Sequence, residues 1–233
     1  SINETKSKIA LKHWIKNLPN YVDEECTFIT KIKPNLVISD ISLMPLLASK
    51  KVGVTNLAIS NFSWYDVLKF LPKKELAKIK TLYNSADFTI QLPLGTKMNH
   101  FKNKIKTGLV SRKITRSRHD IRKQFGIKNS DFLVLFALGN SKTRLNFQSN
   151  SNVKIFSMNT KINPKLNPIN VSNWIESQDL ISASDLVFCK CGYGVISECL
   201  ASGTPFYYVY SKNHFEQRGM SQYLRKKGIK TKI

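Results

Sequence analysis

The chain has 233 residues, 42% hydrophobic and 10% aromatic, which excludes a disordered polypeptide and leaves room for one large or two modest domains. Its formal charge of +22, from 37 basic and 15 acidic residues, favours anionic partners: nucleic acid, nucleotide phosphates or an acidic membrane face. No apolar run approaches the about 20 residues that a membrane span needs, and no signal peptide is read, so a cytoplasmic setting with reduced cysteines is expected.

In chain order, residues 5–31 carry apolar side chains at helical spacing, from Ile9 through Trp14, Leu18 and Val22 to Ile29, with Pro19 interrupting. One kinked helix or two successive helices are expected. "PNLVISD", 34–40, reads as a strand buried on both faces of a parallel sheet. A helix up to Lys51, closed near Gly53, comes next, then a strand in "TNLAISNF", a helix over 73–86 and a strand in "DFTIQLPL". After "NKIKTGLVSRK" the pattern restarts with a helix around "RHDIRKQFG" and a strong strand at 131–139, the mark of a second domain.

The stretch 141–170 is polar and weakly patterned, with a strand in "NVKIFSMN" and a loop leading to a short strand in "INPKLNPINVSNW". Helix, strand, helix, strand and helix follow in "SQDLISASD", "DLVFCK", "GVISECLAS", "PFYYVYS" and "NHFEQRGMSQYLRKKG". Such alternation implies parallel β/α units in both halves, so an α/β fold is expected, with domains at 1–110 and 111–233. The densest basic run, "SRKITRSRHDIRK" at 111–123, reads as a solvated connector or helix face, with anion steering as the alternative.

In open parallel sheets, ligands sit at the carboxyl ends of strands, where helix N-termini offer N–H groups to anions. That rule selects Asp40, Asn61 to Trp64, Gly139 to Ser141, Lys190 to Gly194 and 211–217. The stretch "CKCGYGVISECLASGTP", 189–205, is the most informative. Its cysteines lack paired CxxC spacing, so no metal is expected. Gly192, Gly194 and Ser197 approximate a dinucleotide fingerprint, but the unit comes late in the chain, which leaves an NAD enzyme as a low-ranked alternative. A diphosphate reading fits better: Lys190, then Gly192, Tyr193 and Gly194 at a helix start, then Glu198 placed either to bind a ribose diol or as an ordinary helix acid.

With these residues in view, the segment resembles the donor site of GT-B glycosyltransferases, especially the branch of the peptidoglycan N-acetylglucosaminyltransferase and the glycosyltransferase-like domain linked to sugar kinases. "DLVFCK", Lys190, Gly192, Glu198, "GTP" at 203–205, Gln217 in "HFEQ" and Gly228 carry the resemblance over about 50 residues, and Gly139 is similar to the family's first C-terminal-domain glycine. "KPNLVISD" and "TNLAISNFSW" are similar to the N-terminal domain of the kinase-linked group.

The resemblance implies two Rossmann-like β/α/β domains facing a cleft, the N-terminal one partial, because the family's glycine- and histidine-bearing first loop has no counterpart. It also implies sugar transfer from a nucleotide diphosphate, UDP favoured, to an acceptor hydroxyl, with no cofactor and no bound metal; the alternative is a non-catalytic nucleotide- or sugar-binding relative. Donor contacts are expected from Gly139, Asn140, Ser141, Lys190, Gly192, Tyr193, Gly194 and Glu198, with Glu216 and Gln217 on the donor sugar. Asn61, Phe62, Ser63 and Trp64 would line the acceptor side, and Asp40 is the candidate general base. Val195 and Met220 depart from the family's usual threonine and asparagine. His13 is expected to be structural and His100 exposed. Peripheral contact with an anionic membrane is compatible with the charge, whereas no nucleic-acid recognition motif is present.

Overall fold

A computed structural model describes residues 4–139, 152–212 and 214–229. The chain divides into two units, one of residues 1–108 and 211–223, the other of 109–210 and 224–233. The first boundary falls close to the expected 110/111, but 211–223 group with the first half.

In the first unit, α1 (Glu4–Ile32) runs unbroken through Pro19. It is followed by β1 (Val37–Asp40), α2 (Met44–Lys51) and β2 (Asn56–Ser60). A short α3 (Trp64–Val67) and α4 (Lys73–Leu82) precede β3 (Phe88–Gln91) and β4 (Lys104–Lys106). The strands form a parallel sheet in the order β1-β2-β3-β4. Leu18, Val22 and Ile29 of α1 pack with Ala48 of α2 and Val37 of β1, and Ile79 and Tyr83 pack with Ala58 of β2. Two expectations need correction. β1 is not buried on both faces: it is an edge strand, and Ile38 is 61% exposed. β4 was not expected, because a three-residue Lys-Ile-Lys strand carries no pattern of its own and forms only by pairing with β3.

The second unit begins with a connector from Leu109, then α5 (Arg118–Gln124), β5 (Phe132–Ala137), β6 (Val153–Ser157) and β7 (Ile169–Asn170). α6 (Ser177–Ala183), β8 (Leu186–Lys190), α7 (Tyr193–Ser202) and β9 (Phe206–Val209) complete it. All its strands are parallel, in the order β7-β6-β5-β8-β9. β5, expected as the strongest strand, lies at the centre, with Leu133 and Leu135 fully buried. Gly203 at φ 70° ends α7 in the left-handed conformation that glycine adopts without strain. α8 (Phe215–Lys226) starts within the stretch that groups with the first unit.

The basic run at 111–123 is a connector and helix, but much of it is engaged. Arg118 and Arg122 both reach Asp185, at 2.5 and 3.2 Å, and Arg122 also donates to the carbonyls of Lys128 and Asp131. Burial alone would raise the Asp185 carboxyl, but the Leu133 backbone N–H and the two arginines hold it below its usual range. These cations staple the second unit internally.

Candidate functional site

In the second unit the strand order reverses between β5 and β8: the chain leaves β5 towards β6 and β7 on one side and continues with β8 and β9 on the other. Loops on the two sides of such a reversal diverge and leave a crevice at the strands' carboxyl ends. Gly139 follows β5 with φ 61°, and Lys190 ends β8. The Lys190 ammonium sits 3.6 Å from where a side chain on Gly139 would begin. Lys190 makes no ion pair with any carboxylate among the described residues. Gly192 is the N-cap of α7, and among the described residues no side chain caps that helix, which leaves its first N–H groups without a side-chain acceptor there. Gly139, Lys190 and the turn Gly192, Tyr193 and Gly194 thus stand together at the carboxyl ends of β5 and β8. Asn140 and Ser141 lie outside the described residues.

Glu198, on the next turn of α7, is only 6% exposed, and its carboxylate is engaged. Arg112 Nε donates to Oε1 at 2.8 Å, while the same guanidinium donates to the Ile175 carbonyl at 2.8 Å and to Ser177 Oγ. Arg112 belongs to the connector, which is anchored along its length. Val110 N donates to Tyr193 Oη at 3.1 Å, Gln178 Nε2 to the Lys113 carbonyl at 3.2 Å, and Thr115 N and Oγ1 to Asp179 at 2.8 and 2.6 Å. Burial would raise the Asp179 carboxyl, but the Thr115 and Arg116 hydrogen bonds prevail and hold it low. Sequence reasoning missed Arg112 as a site residue. Only the fold brings it to an acid 86 residues away.

Cys189, Cys191 and Cys199 are fully buried. Burial pushes the Cys189 thiol up and that of Cys199 to about 12, so both stay protonated and inert. No group of three His, Cys, Asp or Glu able to hold a metal occurs among the described residues.

In the first unit, exposed Asp40 ends β1, and Ile41 follows at φ 59°, a conformation costly for a β-branched residue. The strain is held by buried Tyr83, whose hydroxyl donates to the Ile41 carbonyl at 3.0 Å and accepts from Trp64 N at 3.1 Å. One phenol thus fixes the loops after β1 and β2 together. Asn61 is buried, Ser63 caps α3, and Phe62 and Trp64 meet edge to face at 5.9 Å, with Trp64 41% exposed. Glu216 lies beside Asn61 and Asp40: burial raises its carboxyl above the ordinary range, Asn61 and His214 draw it back, and the Asp40 charge adds to the rise. Gln217 folds back locally, its Oε1 accepting from Ser211 N at 2.9 Å.

The two histidines sit in the reverse of their expected settings. His13 lies exposed on α1 beside Asn17. His100 is buried among Tyr65, Tyr83 and Phe101, with ring centroids at 4.8, 5.4 and 4.6 Å, because the β3–β4 loop tucks it beneath α3 and α4. Among the described residues neither of its nitrogens finds a hydrogen-bond partner.

Among solved structures, the chain is similar to CalG4, the calicheamicin glycosyltransferase: TM-score 0.58, 14% identity, 98% of this chain and 69% of that one. It is also similar to the spinosyn rhamnosyltransferase SpnG: TM-score 0.57, 10% identity, 94% of this chain and 66% of that one. The fold is that of the GT-B glycosyltransferases. Another chain with the GT-B fold, the Streptomyces sp. SF2575 glycosyltransferase SsfS6 complexed with thymidine diphosphate, matches at TM-score 0.53 and 13% identity over 90% of this chain and 60% of that one. In sequence, this GT-B chain is 26% identical over 200 residues to an L-arabinokinase of Arabidopsis thaliana, in line with the sugar-kinase-linked branch. The match covers 81% of this chain and 19% of that kinase. No family model matches the chain.

Proposed function

We propose that the second unit binds the diphosphate of a nucleotide-sugar donor and that the chain serves sugar transfer to an acceptor hydroxyl. The observation that carries this reading is the placement at the β5–β8 reversal of Gly139, of the Lys190 ammonium, which pairs with no carboxylate among the described residues, and of the α7 start, which no described side chain caps. Backbone N–H groups and one cation at the same end of a parallel sheet suit a leaving diphosphate, whose charge grows as the sugar departs. The two glycines of the turn let the phosphates approach the backbone.

Glu198 is the proposed ribose ligand, with its carboxylate held in a fixed orientation by Arg112. In the first unit, Asp40 is the proposed base and Glu216 a sugar-hydroxyl ligand. SsfS6 carries thymidine diphosphate, so both pyrimidines are tested against the UDP expected from sequence.

Calorimetric titration of UDP and of TDP tests the donor site. Binding should weaken about 10- to 100-fold in Lys190→Ala, the loss of one charge-assisted contact. Unchanged affinity in that variant would reject the site. Turnover of a UDP-sugar with an added acceptor separates transfer from binding alone.

A further inference from the structure

The first unit holds a cavity of about 490 Å³ at the end of its sheet opposite to Asp40 and Asn61. It opens where β2 and β3 begin and where the chain enters β4, and its lining includes Lys50, Thr55, Asn84, Asp87, Phe88 and Lys102. The size falls within the range of small-molecule sites, roughly 300–1,000 Å³. Thr55 precedes β2 and Asn61 follows it, roughly 20 Å away along the strand, so the cavity is separate from the residues proposed for transfer.

Its walls are fixed from within. Asp87 Oδ1 accepts from Lys50 Nζ at 2.6 Å and Oδ2 from Asn56 N at 3.1 Å, while Asn56 Oδ1 accepts from Asp87 N at 3.0 Å. Asn56 is fully buried, and its amide donates to the carbonyls of Leu46 in α2 and Ser85 after α4, at 3.3 and 3.0 Å. Asn103 Nδ2 donates to the Asp87 carbonyl at 2.9 Å. α2, the turn after α4, the start of β3 and the approach to β4 are thus tied around one carboxylate, and an entering ligand need not order them.

What this network leaves unused defines the ligand. Asp87 and Lys50 cancel each other's charge. Lys102 makes no ion pair among the described residues, which leaves the lining with one net positive charge. Among the described residues, the Thr55 hydroxyl, the Asn84 amide and Asn103 Oδ1 also have no hydrogen-bond partner. One cation suits one anionic group, and neutral donors and acceptors around it suit hydroxyls. Phe88, 48% exposed, adds an aromatic surface against which the C–H groups of a sugar ring can lie. A bare anion would use only Lys102, and an uncharged sugar would leave it unused.

We propose that this cavity is a second binding site, for a monosaccharide carrying one anionic group, a phosphate or a carboxylate, with Lys102 on the anion and Thr55, Asn84 and Asn103 on the hydroxyls. The proposal rests on the first unit alone and not on the donor-site reading.

Calorimetric titration of the 233-residue chain with glucose 6-phosphate, glucuronate, glucose and inorganic phosphate tests it. Glucose 6-phosphate or glucuronate should bind, the tighter of the two naming the anion, with glucose and inorganic phosphate each about 10-fold or more weaker. Lys102→Ala and Asn84→Ala alter exposed side chains and leave the core intact. The first should weaken the charged sugar about 10- to 100-fold and the second about 5- to 10-fold. The proposal is overturned if neither charged sugar binds, if glucose or inorganic phosphate binds as tightly, or if either variant binds like the parent. Displacement of the charged sugar by UDP would also overturn it, because the sugar would then sit at the donor site. A chain that binds the charged sugar but no UDP would keep this proposal and reject the donor-site reading alone.

Discussion

Arg112 Nε donates to Glu198 Oε1 at 2.8 Å and thereby fastens the connector to α7. Glu198 is buried, whereas the Arg112 side chain is 46% exposed, so the two ends of the pair differ in what their loss costs. Arg112→Ala leaves a buried carboxylate with, among the described residues, only Ser177 Oγ at 3.5 Å, and should destabilise the chain by about 1–3 kcal/mol in urea denaturation. Glu198→Gln keeps an acceptor for the exposed arginine and should cost less. Equal losses would mean that the pair does not hold the connector.

Gly139 and Lys190 predict a linked effect. At φ 61°, an alanine at 139 is strained by about 1–2 kcal/mol, and its methyl meets the ammonium at 3.6 Å. Gly139→Ala should lower Tm modestly and weaken UDP binding further than its stability loss explains, as read by thermal shift with and without nucleotide.

Gly95 has no room for a side chain: its Cβ would fall 1.6 Å from the Asn61 carbonyl oxygen. Thr96 N also donates to that oxygen at 2.8 Å, so the loop after β3 rests directly on the loop after β2. Gly95→Ala should cost about 3 kcal/mol or more, because backbone must move. Gly108→Ala, where nothing lies within 4 Å, should be near neutral. The urea midpoints of the two variants give the comparison.

The course of the strands and the glycine turn after β8 could be read from residues close together in sequence. β5 and β8 announce themselves as apolar runs, and Lys190, Gly192 and Gly194 fall at a strand end followed by a helix, a spacing with local meaning. What stayed hidden depends on distant chain. Arg112 looks like any member of a basic run until α7 is placed beside it. His100 sits among lysines in sequence, yet three aromatic rings from α3, the end of α4 and its own loop enclose it. β1 reads as a buried strand because Leu36, Val37 and Ile38 are apolar, but a strand's burial is set by its neighbours.

His100 makes stability depend on pH. Burial lowers it to about 4 from 6.5, so the unfolded chain binds a proton that the folded chain refuses. The stability it contributes is complete above pH 6.5 and is lost as pH falls towards 4. The loss amounts to about 2–3 kcal/mol at most. His100→Phe should flatten the urea midpoint across that window, measured at pH 4, 5, 6 and 7.

Glu216 works in the opposite sense. Its carboxyl is raised in the folded chain, so folding holds the proton more tightly, and stability declines as pH rises from about 4.5 through the raised value. Glu216→Gln should therefore gain on the parent as pH increases from 4 to 7. A gain that shrinks instead would show that Asp40 and burial do not act on this group.

The path of the backbone after β9 has a practical result. The polypeptide passes from the first unit to the second after Gly108, returns at Ser211, and leaves again at Leu224. Neither unit is a continuous stretch, so a single cut after Gly108 frees no self-contained piece: one product lacks residues 211–223 and the other retains them without their sheet. Truncation libraries should find few soluble halves, and a protease nick at 108 should leave the two products associated until denaturant is added.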